Sequence, residues 1–169
     1  MRIIAHRGNR HGPDKNTENT TYSIEKSLDM GFDVEFDLRY VDGYFYLGHD
    51  EPKELVDDII FDNWSKMGNL YVHCKTVTTL QHFISRGYLK TGAIPFFHDT
   101  DECVLIDGDV LWVHPESIEA VDYGNVGNTI FVLPNLDGSE NYPNVRKALQ
   151  YCYGVCTDYA IPLRESLEQ

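Results

Sequence analysis

Positive charge is scarce in this sequence. Fourteen Lys and Arg stand against 27 Asp and Glu, a formal net charge of −13. Such a surface repels polyanions, so nucleic acid and anionic membranes are not expected as partners. Long apolar runs are also missing. No stretch approaches the ~18 uninterrupted apolar residues of a membrane span, so stable membrane association is not expected. The apolar run Ile3-Ile4-Ala5 after Met1 and Arg2 is too short for the core of a signal peptide, which sets a cytoplasmic location as the expectation. Cysteine is sparse, and Cys74, Cys103, Cys152 and Cys156 follow no zinc-ligand spacing. Reduced, mostly buried thiols fit a chain of this size better than a disulfide framework. Low-complexity tracts, linkers and internal repeats are absent, and no glycine-rich phosphate loop follows the first apolar run.

What remains is an ordinary globular composition, 42% hydrophobic and 24% charged, over 169 residues. That length fits one domain, residues 1–169, with a real core. Apolar runs read as strands at Arg2–Ala5, Asp33–Leu38, Tyr44–Gly48, Leu70–Cys74, Ala93–Phe97, Val110–Val113, Thr129–Leu133 and Gly154–Thr157. Helices are expected over Thr20–Met30, Glu54–Met67, Thr76–Tyr88, Ser117–Val121, Tyr142–Tyr151 and the last ten residues. Strand and helix alternate, which predicts an α/β fold: a compact (β/α)8 TIM barrel with some connecting helices reduced or missing. Asp42-Gly43 leaves only a tight turn between the second and third strands, and Cys103–Ile106 adds an extended run before the sixth.

Polar residues gather at the ends of these strands, where barrel enzymes carry their chemistry. His6 and Arg7 follow the first strand, and His49 the third. His98, His114 and Asp158 follow the fifth, sixth and eighth, as rim or supporting groups or equally as participants. Glu35 and Asp37 sit at i and i+2 of the second strand and therefore share a face. Two carboxylates so placed repel one another and lose hydration, which a cation between them relieves. His73-x-Lys75 repeats the spacing on the fourth strand. His73 is a candidate to complete the ion's ligands, and Lys75 to face a phosphate. Two imidazoles, a guanidinium and paired carboxylates make a set suited to metal-assisted cleavage of a phosphodiester.

In order and spacing these motifs resemble the glycerophosphodiester phosphodiesterase family, within the phosphatidylinositol-phospholipase-C-like barrels. The carrying residues are Ala5-His6-Arg7-Gly8, Glu18-Asn19-Thr20, Glu35-Phe36-Asp37, Asp42-Gly43 and His49-Asp50, with an echo in Gly154-Val155-Cys156-Thr157-Asp158. The match is specific over residues 3 to 52 and patchy beyond. The resemblance implies His6 and His49 as the catalytic acid–base pair, Arg7 as the phosphate clamp, and Glu35 and Asp37 as ligands of one divalent ion (Mg, Ca or Mn). It places Glu18 and Asn19 in a loop beside the site. A small phosphodiester, split to an alcohol and a phosphomonoester, is the implied substrate.

Three departures stand out. The family's third ligand is a Glu, where this sequence has His73, a donor that suits transition ions better. Thr17 stands where the family favours Pro. The family's capping insertion is expected to be absent or tiny, since only 75 − 49 = 26 positions separate His49 from Lys75. Two rival readings use the same residues. One is a sphingomyelinase-D-like or inositol-phospholipase-like enzyme that forms a cyclic phosphate; the other is a barrel that binds a phospho-ligand without turnover.

Overall fold

The computed structural model describes residues 1–57, 59–137 and 143–169. Its frame is a parallel ladder. β1 (Arg2–Ala5) lies between β2 (Asp33–Val41) and β10 (Gly154–Thr157). Beyond β2 follow β5 (Leu70–Cys74) and β6 (Ala93–Phe96); beyond β10 follow β9 (Thr129–Val132) and β8 (Val110–Val113). β7 (Cys103–Ile106) pairs antiparallel with β8 across a turn at Asp107-Gly108.

Side chains alternate across this ladder with period two. Val34, Phe36 and Leu38 of β2 and Leu70, Val72 and Cys74 of β5 face the helices. Ile4, Tyr71, Phe96, Trp112, Ile130, Val132 and Cys156 form a separate buried cluster on the other face. That cluster draws from both ends of the ladder. Trp112 of β8 lies 4.9 Å from Phe96 of β6 and 5.5 Å from Tyr71 of β5, centroid to centroid. The sheet therefore curls on itself around an aromatic interior. Among the described residues no backbone ladder joins β6 to β7 or β8, so the curl is open at that seam.

Three expected elements differ. Tyr44–Gly48 does form a strand, β3 (Tyr44–Leu47), but as an antiparallel hairpin on the far half of β2 and outside the parallel ladder. Asp42 and Gly43 both take positive φ (50° and 92°), the turn whose twist suits such a hairpin. The helix expected over Glu54–Met67 begins instead as β4 (Glu54–Val56), which pairs with β3. Leu55 is 56% exposed while Val56 is buried: an alternation set by the pairing. Only α2 (Ile59–Trp64) is helical there, with Phe61 and Trp64 buried and Ile59 exposed.

The other helices are α1 (Thr21–Asp29), α3 (Val77–Ser85), α4 (Pro143–Ala148) and α5 (Ala160–Leu167). Tyr142, the expected start of the helix before β10, lies outside the described residues. α1 buries Ile24 and Leu28 but leaves Tyr22 exposed; α3 buries Phe83 but leaves Ile84 exposed. The segment expected as a helix at Ser117–Val121 is a 3₁₀ turn, Pro115–Ala120. Among the described residues no helix is long and apolar enough to cross a membrane.

Candidate active site

The chain leaves β1 through one 3₁₀ turn, His6–Gly8, in which Arg7 holds φ at 54°. A non-glycine residue there is strained. The strain aims the Arg7 backbone N–H at Glu35 Oε2, 3.0 Å away. Gly8 also needs its missing side chain, because a Cβ would meet Ser23 Oγ at 2.7 Å and the Ser23 carbonyl carbon at 2.9 Å. The turn is thus pressed against α1.

Glu18-Asn19-Thr20 divides three tasks. Thr20 caps α1 in a reciprocal box with Ser23. Asn19, at φ 53°, clamps Asp37: its Nδ2 donates to Oδ2 at 2.9 Å, and its Oδ1 accepts the Asp37 backbone N–H at 2.9 Å. Glu18 accepts from Arg7 Nη1 at 3.1 Å. Lys53 Nζ ties this loop down by donating to the carbonyls of Lys15, Asn16 and Glu18.

Parallel register places Asp37 of β2 opposite His73 of β5. Glu35 and Asp37 are 3% and 1% exposed on the inner face. Asp37 Oδ1 has His73 Nδ1 at 3.0 Å and Lys75 Nζ at 3.2 Å, and Arg7 Nε lies 3.4 Å from Oδ2. Burial works to raise the Asp37 pKa, but the His73 hydrogen bond and the charges of Lys75 and Arg7 hold it well below the usual range. Glu35 goes the other way, raised by burial and by the Asp37 charge beside it. Glu35, Asp37 and His73 each offer a donor atom within 4.8 Å of the others, the arrangement of a three-ligand cation site.

His6 faces the same centre. Its Nδ1 lies 2.8 Å from Asp158 Oδ1, beyond the end of β10, and its Nε2 lies 3.9 Å from Glu35 Oε2. Asn9 Nδ2 donates to that Asp158 oxygen at 2.8 Å. Burial disfavours the imidazolium, yet the Asp158 hydrogen bond and the Glu35 charge leave the His6 pKa raised. His49 arrives from β3. The Gly48 N–H donates to the Asp37 carbonyl at 3.1 Å, and Arg39 donates through Nε to the Gly48 carbonyl and through Nη2 to the His49 carbonyl. His49 Nδ1 pairs with Asp50 Oδ1 at 2.7 Å, on a 90% exposed aspartate.

All seven residues singled out from the sequence, His6, Arg7, Glu35, Asp37, His49, His73 and Lys75, line one cleft of about 770 Å³ at the exit end of the parallel strands. Lining its far side, His98 stacks on His73 at 4.4 Å and meets His114 at 3.9 Å with the rings tilted by 40°. Burial and the neighbouring imidazoles push His98 down to about 4, and burial lowers His114, so both rings are neutral near pH 7. Asp99, Asp101, Glu102 and Glu116 form an acidic rim beyond them. Sequence reasoning missed Asn9 and Lys53. Each acts through a distant partner that no local spacing reveals. It placed Asp158 as a supporting group without its link to His6.

No family model matches the sequence, and no curated protein is similar to it. Solved structures are. The glycerophosphodiester phosphodiesterase of Agrobacterium tumefaciens superposes with a TM-score of 0.62 at 14% identity, covering 98% of this chain and 99% of that one. The glycerophosphoryl diester phosphodiesterase of Parabacteroides distasonis gives 0.52 at 14% identity, over 99% of this chain and 86% of that one. The chain has the fold of these proteins.

Proposed function

We propose that this chain hydrolyses a glycerophosphodiester-like substrate to an alcohol and a phosphomonoester with one divalent cation. On this reading the curled sheet is a reduced (β/α)8 barrel whose third parallel strand is lost to the β3 hairpin. The observation that carries the proposal is the convergence of His6, His49, Arg7, Lys75 and the buried Glu35–Asp37–His73 group on one cleft. The neighbours of the same fold bear phosphodiesterase names, which supports the same direction.

The ligand set fits a cation, because two buried carboxylates and an imidazole bring donor atoms within 4.8 Å of one another, and the Lys75 and Arg7 ion pairs fall on Asp37 rather than on Glu35. When bound at Glu35, Asp37 and His73, the ion supplies Lewis acidity and neutralises charge growing on the phosphoryl oxygens. Arg7 grips a phosphoryl oxygen with guanidinium N–H donors left free by Glu18 and Asp37, and Lys75 adds a point charge. Asp158 holds His6 Nδ1, which turns Nε2 to the cleft. Its raised pKa favours the protonated imidazole, and His6 gives that proton from Nε2 to the leaving alcohol oxygen. His49, at the open mouth, takes the proton of the incoming water. The substrate is small and its phosphate is drawn by local cations within an acidic molecule.

Turnover of bis(p-nitrophenyl) phosphate and glycerophosphocholine by the full chain, with and without divalent ions, tests this reading. A phosphomonoester in ³¹P NMR is the expected product. A cyclic phosphate as the final product would move the assignment to the inositol-phospholipase type, and binding without turnover would move it to a ligand-binding barrel.

A further inference from the structure

We infer that the ion held by this site is a borderline transition cation of the Mn²⁺, Fe²⁺, Co²⁺, Zn²⁺ series rather than Mg²⁺ or Ca²⁺, and that His73 sets the choice. The inference rests on the cation reading proposed above and sharpens it. Hard cations bind through oxygen and through charge, while imidazole is a directional nitrogen donor that favours the transition series. Both terms in this site move the same way.

The charge term is weakened by the protein itself. Lys75 Nζ at 3.2 Å and Arg7 Nε at 3.4 Å already neutralise Asp37, and Asn19 takes part of its Oδ2. Glu35 is spent in part on the Arg7 backbone N–H and lies near His6. An ion that relied on carboxylate charge alone would find that charge largely answered. Affinity then has to come from the third donor.

That donor is fixed in place. The His73 ring lies parallel to Phe96, at 5.1 Å and 2°, and to His98, at 4.4 Å and 9°, and those two rings are 6.2 Å from each other. Its Nδ1 faces Asp37 Oδ1 at 3.0 Å, a separation that also suits two ligand atoms sharing one ion. The side chain is 10% exposed, and among the described residues its Nε2 has no hydrogen-bond partner. Nδ1 is the nitrogen aimed at the carboxylates, so coordination would exchange its hydrogen bond with Asp37 Oδ1 for a shared ion while the ring keeps its place.

The full-length chain, stripped of metal, is titrated with MnCl₂, CoCl₂, ZnCl₂, MgCl₂ and CaCl₂ by calorimetry, and the Mn²⁺ form is examined by pulsed EPR for ¹⁴N coupling. Binding of the transition ions at least ~100-fold tighter than Mg²⁺ and Ca²⁺, with imidazole ¹⁴N coupling, is the expected result. His73→Glu should narrow that ratio at least ~10-fold and abolish the ¹⁴N signal. His73→Gln, which keeps the charge neutral, should lose the signal too and guards against misfolding of the first variant. Equal or tighter Mg²⁺ binding by the native chain overturns the inference, and turnover with Mg²⁺ then leaves the phosphodiesterase reading intact. Transition-ion selectivity with ¹⁴N coupling but no phosphodiester turnover supports the inference and overturns that reading. Turnover in excess chelator, with no ion bound, overturns both.

Discussion

His6 Nδ1 and Asp158 Oδ1 lie 2.8 Å apart although 152 positions separate them in the chain. The contact exists because β1 and β10 are parallel neighbours, with Ala5 opposite Thr157, so the first residues past each strand end side by side. Asp158→Asn removes the charge and keeps the shape. The expected result is a fall in kcat of at least ~10-fold, by analogy with carboxylates that hold a catalytic imidazole in the right tautomer. His6 must be protonated to act as the acid, so activity falls as pH rises through its pKa. Losing Asp158 lowers that pKa, and the alkaline limb of the kcat profile should move to lower pH. Asp50→Asn provides the contrast. Its partner His49 lies at the open mouth and Asp50 itself is exposed, so a change below roughly 3-fold is expected.

His6→Ala and His49→Ala should each lower turnover by about 10²–10⁴-fold while leaving the far-UV spectrum and ion binding intact. Neither imidazole belongs to the three-ligand group, so a loss of ion affinity alongside the loss of rate would assign that His to the ion instead. Initial rates and calorimetry on the same preparations separate the two results.

Glu35→Gln should stabilise the ion-free protein while abolishing function. The Glu35 pKa is raised in the fold, by burial first and by Asp37 second. Its ionised form is therefore disfavoured in the native state relative to the unfolded one. That penalty is absent below the unfolded pKa and grows as pH rises through the folded one. A Gln carbonyl keeps the Arg7 N–H hydrogen bond without the charge. A Tm above that of the native chain is expected at pH 7, with the difference shrinking toward pH 4. Asp37→Asn should do the reverse. Its pKa is depressed, so it adds stability above the unfolded carboxylate value and loses it as pH falls. Thermal melts from pH 4 to 8 in chelator test both signs.

The pattern of these residues shows how much of the site was legible beforehand. Glu35 and Asp37 could be put on one inner face because a strand's period is two, whatever the rest of the chain does. His6, Arg7, His73 and Lys75 followed from strand ends, and the parallel ladder brought those ends together. Spacing could not reach contacts made across the fold. Asn9 meets Asp158, Asn19 meets Asp37, and Lys53 meets the carbonyls of residues 15, 16 and 18, each through loops whose path depends on the packed whole. The misread segment at Glu54–Val56 failed for a related reason. Its short apolar pattern fits a helix or a strand, and only pairing with Phe45–Leu47 decides between them.

Gly48 governs where His49 stands, and its replacement should disable the histidine without touching it. The residue holds φ at 145°, and a Cβ there would lie 2.0 Å from the Glu51 carbonyl oxygen, a backbone atom that cannot swing aside. The same residue donates to the Asp37 carbonyl at 3.1 Å, while Lys53 closes the loop on Leu47 at 2.8 Å. In Gly48→Ala the backbone has to move, by breaking the Asp37 contact or by opening the loop toward Lys53, and either path shifts His49 from the mouth of the cleft. A stability loss of about 1–3 kcal/mol is expected from strain at this backbone position. The kcat should fall toward the His49→Ala level, because misplacement by about 1 Å is enough to cost ~10²-fold. Ion affinity should hold, since Glu35, Asp37 and His73 belong to β2 and β5 rather than to this loop. Urea unfolding, initial rates and ion calorimetry on Gly48→Ala check the three parts together. Full activity with a normal unfolding midpoint would show that His49 does not depend on the glycine.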